Sequence, residues 1–251
     1  MELVLLTALG VGGATVVGVA IGFLFKGITH KFSDIVLSFA AGVMLAAAVL
    51  GLILPAVEGG GTNLIIAIAG IFTGAVFLNL MDRLVPHLHR LAGGDIEEHK
   101  GNDRLGKILL FVIAIAIHNL PEGIAAGVGF GGDGEAVTEA LMIAGGIALQ
   151  NIPEGMVIVA PMLAAGISKR RTFLLAAMTG LVEVIGTVIG YLAVSISAAI
   201  LPFALAFAGG TMLYIISDEM IPETHAHGGE RGATYALLIG FCLMLVVDVL
   251  L

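Results

Sequence analysis

The stretch I-L-L-F-V-I-A-I-A-I-H-N-L-P-E-G-I-A-A-G-V, residues 108–128, decides the class of fold. A helix that spans a bilayer needs about 20 mostly apolar residues, and this stretch has that length. The composition of the whole chain agrees, because 59% of the 251 residues are hydrophobic and only 12% are charged. Soluble domains are about 25% charged. We therefore expect an all-α membrane protein.

Seven more apolar stretches have the length of a membrane span. Together the eight predicted spans form a single transmembrane domain over residues 1–251, and they cover residues 3–25, 34–55, 62–84, 105–130, 137–165, 172–196, 200–221 and 233–251. The sixth and seventh are separated only by a short turn near Pro202, so one long kinked helix is the alternative there. The 36 Gly residues lie mostly inside these stretches, where small residues let helices approach closely in lipid.

The basic residues predict the orientation of the chain. All 11 Lys and Arg lie in or beside the 1–2, 3–4, 5–6 and 7–8 connections. The positive-inside rule places these connections in the cytoplasm, which puts both termini on the extracytoplasmic side of the cell membrane. The longest connection, residues 85–104, carries His87 and His89 and is either a weak metal-binding segment or a solvated linker. The net charge of −8 argues against a nucleic-acid partner.

Three carboxylates lie well inside predicted spans: Glu122, Glu154 and Glu183. An unpaired acid at the centre of a bilayer costs about 3 kcal/mol, and ionisable residues at such depth are candidates for function. No Lys or Arg lies near the centre of any predicted span. Protonation or a bound cation must therefore offset the cost.

Two of these acids belong to a repeated motif, H-N-L-P-E-G at residues 118–123 and Q-N-I-P-E-G at residues 150–155. Residues three and four apart share one face of a helix, so each motif presents nitrogen and oxygen atoms on one side. Such atoms suit zinc and other divalent transition metals. The candidate ligands are His118, Asn119, Glu122, Gln150, Asn151 and Glu154, and Glu183 could complete a second metal position beside them.

Each motif also contains a proline, Pro121 or Pro153, inside the predicted helix. A proline lacks an N–H and clashes with the carbonyl four residues earlier. Irregular backbone at membrane depth is tolerated where it lines a site or cavity. We therefore expect the fourth and fifth helices to be interrupted around the metal site.

Further candidates lie toward the ends of the spans. Glu58 and Asp248 lie on the predicted outer side and could attract cations to an entrance. A cluster at the cytoplasmic end of the seventh span could form an exit, and it contains Asp218, Glu219, Glu223 and His225. Met44 offers a thioether, although core packing explains a lone Met equally well.

These motifs resemble those of the ZIP (Zrt/Irt-like) metal transporters, in particular the prokaryotic GufA-like branch. The resemblance covers essentially the whole chain and implies a 3+2+3 arrangement, with spans 1–3 and 6–8 as inverted repeats. It also implies a transport site between spans 2, 4 and 5, import toward the cytoplasm, and a homodimer. The implied ligands are Met44, His118, Glu122, Gln150 and Glu154, and the implied second position involves Asn119, Glu122, Asn151, Glu154 and Glu183.

Two positions depart from many relatives. Gln150 stands where many carry His, and Asn151 stands where some carry Asp, which removes a donor and a negative charge. We expect a transporter of divalent metal ions, with zinc foremost and iron, manganese, cobalt or cadmium also possible, that needs no cofactor apart from its cargo. The alternatives are a passive divalent-cation channel and an intramembrane metalloenzyme, and the chain lacks the H-E-x-x-H motif of many such enzymes.

Overall fold

A computed structural model of the chain describes residues 1–25, 29–58, 61–84, 103–131 and 136–250. Within these ranges the chain is helical, with no strand, which confirms the predicted all-α class. Eight long helices account for nearly all of it: α1 Glu2–Gly22, α2 His30–Val57, α3 Gly61–Leu84, α4 Asp103–Val128, α5 Ala136–Ala164, α6 Lys169–Ile196, α7 Leu201–His225 and α8 Glu230–Leu250.

Among the described residues, seven of these helices are long and apolar enough to cross a membrane. Helix α4 has 26 residues and lies where the fourth span was predicted, although it begins at Asp103, inside the predicted 85–104 connection. The sixth and seventh predicted spans are separate helices, because Ser197 is extended (φ −153°, ψ 110°) and a 3-10 turn, Ala198–Ile200, follows it. The single kinked helix is therefore excluded.

The irregular hydrogen bonding lies in other helices than predicted. Helices α4 and α5 continue through Pro121 and Pro153, so the expected interruption at these prolines is wrong. Instead, α2 and α7 each contain a π-helical stretch, Ala47–Ile53 and Ile216–Met220. A π-helical turn inserts an extra residue into the helix and often occurs at functional sites. In a membrane helix, neighbouring helices, side chains or ordered water can satisfy the carbonyl that a proline frees, so a proline need not end the helix.

The helices pack in two groups of four. Helix α1 packs along α5 and α6, and α6 packs along α4, while α3 packs along α7 and α2 along α8. Within each group, backbones touch at glycines: a Cβ on Gly12 would collide with the carbonyl of Gly180, and one on Gly42 with the carbonyl of Leu237. Between the groups, glycine contacts are made with side chains instead, as where Gly51 meets Ile143. We call α1, α4, α5 and α6 the inner group and α2, α3, α7 and α8 the outer group.

The packing pattern repeats along the chain. The main contacts keep their pattern when α1 is exchanged with α6, α2 with α7, α3 with α8 and α4 with α5. Residue numbers follow the same rule, since Gly18 packs on the carbonyl of Ile152 and Gly186 packs on that of Leu120. The two glycines are 168 positions apart, and the two carbonyl residues are 32 apart. The relation therefore holds at the level of single contacts.

The contact between Gly12 and Gly180 can be tested with a matched pair of variants. In Gly12→Ala the new methyl group collides with the backbone of α6, so we expect destabilisation of about 1–3 kcal/mol. In Gly13→Ala the methyl group meets nothing within 4 Å, so we expect stabilisation of about 0.5–1 kcal/mol from the better helix former. Thermal unfolding in detergent measures both, and equal shifts would contradict the close packing.

Candidate metal site

The side chain of Glu183 on α6 is fully buried and lies at the centre of the inner group. Its Oε1 accepts hydrogen bonds from Thr15 Oγ1 of α1 at 3.0 Å and from Asn119 Nδ2 of α4 at 2.5 Å. Its Oε2 accepts one from Asn151 Nδ2 of α5 at 2.6 Å. One carboxylate thus joins all four helices of the group through neutral donors. Both oxygens of Glu183, which was expected to contribute to a second metal position, therefore already accept hydrogen bonds.

Several buried polar atoms beside this network lack partners. Among the residues that the structure describes, Glu122 Oε2, Asn151 Oδ1 and both side-chain heteroatoms of Gln150 have no hydrogen bond of acceptable geometry. Gln150 is nonetheless close enough to Glu122 to interact with it electrostatically. Buried polar groups are normally hydrogen-bonded, and each exception needs an explanation. The carboxylate oxygen of Glu122 and the amide oxygens of Gln150 and Asn151 are ligands of the kind that a divalent cation would use.

The acidic residues of both motifs lie in one electrostatic cluster. Glu122 lies close enough to Glu154 and Glu183, and His118 close enough to Glu154, for these groups to interact electrostatically when they are ionised. Glu122 is 1% exposed, whereas Glu154 is only half-buried. The two motifs therefore lie close enough for side chains of α4 and α5 to interact. A cation among these carboxylates would offset their mutual repulsion.

His118 reaches toward α7. Its Nε2 lies 3.1 Å from Glu219 Oε1, which is an ion pair when the imidazole is protonated. Glu219 lies in the π-helical stretch of α7, and the sequence placed it at the exit without indicating contact with His118. Within the described ranges, no three His, Cys, Asp or Glu side chains lie close enough together to hold a metal ion. The side chain of His118, which belongs to the first motif, therefore contacts the C-terminal part of α7.

Met44 is fully buried on α2 and lies level with Gln150 on α5. The level follows from a neighbouring contact, since a Cβ on Gly146 would lie 3.5 Å from Cβ of Ala47. Met44 precedes Ala47 by three residues on α2, and Gln150 follows Gly146 by four residues on α5. The helices are antiparallel, because the next contact joins Gly51 and Ile143. Both steps therefore lead about one helical turn in the same direction.

The other predicted residues lie away from this cluster. Glu58 is exposed just after α2, and Asp248 lies in the last turn of α8, at the same end of these two parallel helices. In the C-terminal part of α7, Asp218 is exposed and Glu223 is half-buried. His225 contacts Ile221 O at 2.8 Å and Thr234 Oγ1 at 3.2 Å, so it links α7 to α8. His87 and His89 lie outside the described residues.

Thr15 is the site residue that the sequence reasoning missed. A lone Thr in an apolar helix carries no signal of its own. The repeat does carry one, because Thr15 and Glu183 are 168 positions apart and occupy equivalent places in α1 and α6.

The sequence of this chain is similar to those of known metal transporters. The model of the ZIP zinc transporter family matches residues 96–248, which include both motifs. The chain belongs to the ZIP family. It is 44% identical over 180 residues to the zinc transporter GufA of Myxococcus xanthus, covering 72% of this chain and 69% of that protein. The predicted resemblance to the GufA-like branch is confirmed.

Other ZIP relatives match over nearly the whole chain. The zinc transporter ZIPB of Bordetella bronchiseptica is 35% identical, covering 94% of this chain and 77% of that protein. The human zinc transporter ZIP11 is 31% identical, covering 94% of both chains. This ZIP protein is therefore a multi-pass membrane transporter and not an enzyme, and the metalloenzyme alternative is set aside.

The network around Glu183 predicts the effect of an isosteric change. Thr15→Val removes one hydrogen bond from a buried carboxylate, so we expect a loss of about 1–3 kcal/mol in unfolding free energy. Thr73→Val is the matched control, since that hydroxyl bonds only Ala69 O of its own helix, and an exposed change of this kind shifts stability by about 0.5 kcal/mol at most. Thermal unfolding of both variants decides, and equal stabilities would contradict the role of Thr15.

Proposed function

We propose that this protein imports divalent transition-metal ions, zinc foremost, into the cytoplasm. The observation that carries the proposal is the set of carboxylates in helices α4, α5 and α6, of which Glu122 and Glu183 are buried, together with the unpartnered amide oxygens of Gln150 and Asn151. No Lys or Arg lies near the centre of these helices, so a cation is the partner that offsets the cost of burying the acids. The relatives described above are zinc transporters, which supports zinc as the cargo.

The proposed transport site lies between α2, α4 and α5. Glu122 and Glu154 supply negative charge, His118 and Gln150 supply one imidazole and one amide, and Met44 supplies a thioether. Mixed nitrogen, oxygen and sulfur ligands suit zinc and softer divalent ions better than magnesium or calcium. The proposed ligands are thus Met44, His118, Glu122, Gln150 and Glu154. Iron, manganese, cobalt and cadmium remain alternative cargoes.

A second position beside the first would use Asn119, Asn151 and Glu183 together with Glu122 and Glu154. The two amides already donate to Glu183. A metal there would replace those hydrogen bonds and turn the amide oxygens inward. We therefore propose one strongly held ion at the transport site, with the second position occupied only when this network opens.

The proposed route runs from outside to inside the cell membrane. Glu58 and Asp248 would attract cations at the outer end, and the ion would leave past Glu219 and His225. Asp218 and Glu223 add negative charge near the same exit, and His87 and His89 of the 85–104 segment would meet the ion in the cytoplasm. The basic connections support this orientation. A homodimer, as the family resemblance implies, is part of the same proposal.

Alternating access would come from the two helix groups. The exchange of α1–α3 with α6–α8 supports a 3+2+3 architecture of inverted repeats, in which the binding site lies between the repeats. Met44 belongs to the outer group, whereas the motif residues belong to the inner group. Backbone contacts at glycines hold each group together, while side chains form the surface between them. We propose that the inner group moves against the outer group with the ion bound.

Uptake into proteoliposomes tests the proposal directly. The double variant Glu122→Gln with Glu154→Gln keeps the shape of the site and removes its charge, so zinc uptake should fall to about a tenth or less of that of the unmodified protein. Glu230→Gln, at an exposed position in the first turn of α8, is the matched control and should transport normally.

The concentration dependence of uptake separates a carrier from a channel. A carrier gives uptake that saturates with zinc concentration, whereas a passive channel gives flux that rises linearly. Normal uptake by the double variant would refute the proposed site, and linear flux in the unmodified protein would favour the channel.

The orientation has a separate test. In a Cys242→Ser background, a membrane-impermeant thiol reagent added to intact cells should label Thr62→Cys, which is exposed at the start of α3. The same reagent should label Lys31→Cys, exposed at the start of α2, only after the cells are opened. The reverse pattern would place the basic connections outside and turn the proposed import into export.

A further inference from the structure

Two helices of the outer group share a short sequence that the transport site uses only once. F-A-A-G-V-M occupies residues 39–44 of α2, and F-A-G-G-T-M occupies residues 207–212 of α7. The two methionines, Met44 and Met212, are 168 positions apart, and both are fully buried. A π-helical stretch begins three residues after Met44 and four residues after Met212. The two segments therefore share sequence, burial and local helix geometry.

Their surroundings are equivalent as well. A Cβ on Gly42 would collide with a backbone carbonyl of α8, and a Cβ on Gly210 would collide with one of α3. In return, Gly240 of α8 packs on the carbonyl of Phe39, and Gly74 of α3 packs on that of Phe207. Since α3 and α8 are counterparts, Met44 and Met212 occupy equivalent places in the two repeats.

The other four proposed ligands are counterparts of one another when the two repeats are exchanged. Glu122 and Glu154 are counterparts 32 positions apart, and so are His118 and Gln150. Exchanging α4 with α5 therefore returns the same four positions. The thioether alone changes its source, because the counterpart of Met44 on α2 is Met212 on α7.

One contact between the two groups departs from the exchange, although the contacts within each group follow it. On one side, Gly51 of α2 meets Ile143 of α5. Their counterparts are Glu219 and position 111, yet Glu219 contacts His118, seven positions farther along α4. Seven residues of helix span about 10 Å. The long side chains of His118 and Glu219 account for part of that distance. This pair of contacts indicates that the inner group lies displaced along α7 relative to its place along α2.

We propose that Met212 is a second thioether ligand, which holds the ion when the protein faces the opposite side of the membrane. The inference rests on the proposed transport function and on Met44 as a ligand. In an inverted repeat, each half takes the conformation of the other when access alternates. Sliding of the inner group would bring His118 from Glu219 to Met212, while Gln150 moves away from Met44. The ion then exchanges one sulfur for another as it crosses.

Uptake of a soft and a hard ion by proteoliposomes tests this inference. Met212→Leu keeps an apolar side chain of similar size and removes the sulfur. Because thioethers favour soft ions over manganese, the ratio of Cd²⁺ to Mn²⁺ uptake should fall about tenfold in Met212→Leu and equally in Met44→Leu. Met162 is buried near the C-terminal end of α5, and Met162→Leu should keep the uptake ratio of the unmodified protein.

Binding in a trapped state gives the second readout. Ala47 and Gly146 are in contact across the groups, and their counterparts are Ile215 and Ala114. In a Cys242→Ser background, a disulfide between Ile215→Cys and Ala114→Cys should hold the opposite state. In that protein Met212→Leu should weaken Cd²⁺ binding about tenfold, while Met44→Leu should leave it unchanged.

The outcomes separate the two proposals. An unmodified protein that carries neither ion refutes the transport function. An unmodified protein that carries both ions, together with Met212→Leu giving the same uptake ratio as Met162→Leu, refutes the role of Met212 alone. A drop in the ratio for both Met44→Leu and Met212→Leu supports the exchange of sulfur ligands.

Discussion

The buried carboxylate of Glu183 accepts hydrogen bonds from three other helices, and the inner group is assembled around it. A membrane interior provides no water to solvate a carboxylate, so each of these bonds matters more than it would at a surface. The donors are a hydroxyl and two amides, none of which adds charge. Asn119 and Asn151 are thereby held beside Glu122 and Glu154, the two acids on which the proposed cation would depend.

Close backbone contact makes this network possible. Thr15 reaches Glu183 because Gly12, one turn earlier on α1, lets that helix lie directly on α6 at Gly180. In lipid, burial of apolar surface does not drive two helices together, and packing of small residues takes its place. The same device joins α2 to α8 and α3 to α7. Between the groups, side chains such as Ile143 and Met244 form the contact instead, and such a surface can slide with less loss of packing.

Much of the fold could be predicted because the bilayer constrains the sequence so strongly. Apolar length gave the eight helices and their order, and the P-E-G motifs identified the acids of the site. The π-helical stretches could not be predicted, because Ala47–Ile53 carries no residue that signals one. The regular course of α4 through Pro121 was also missed, since that depends on how the neighbouring helix packs. Thr15 and the contact of His118 with Glu219 arise from tertiary structure that spacing along one helix cannot reveal.

The contact between His118 and Glu219 bears on how an ion would leave the site. A metal ligand must offer a free lone pair on its nitrogen, whereas an imidazole paired with a carboxylate as a cation has none. At the proposed site, a metal ion and Glu219 would therefore compete for the side chain of His118. If the inner group moves as proposed, pairing of a protonated His118 with Glu219 near the exit would take one nitrogen ligand away from the ion. The π-helical turn that orients Glu219 would thus favour release on that side, while leaving Glu122 and Glu154 in place for the next ion.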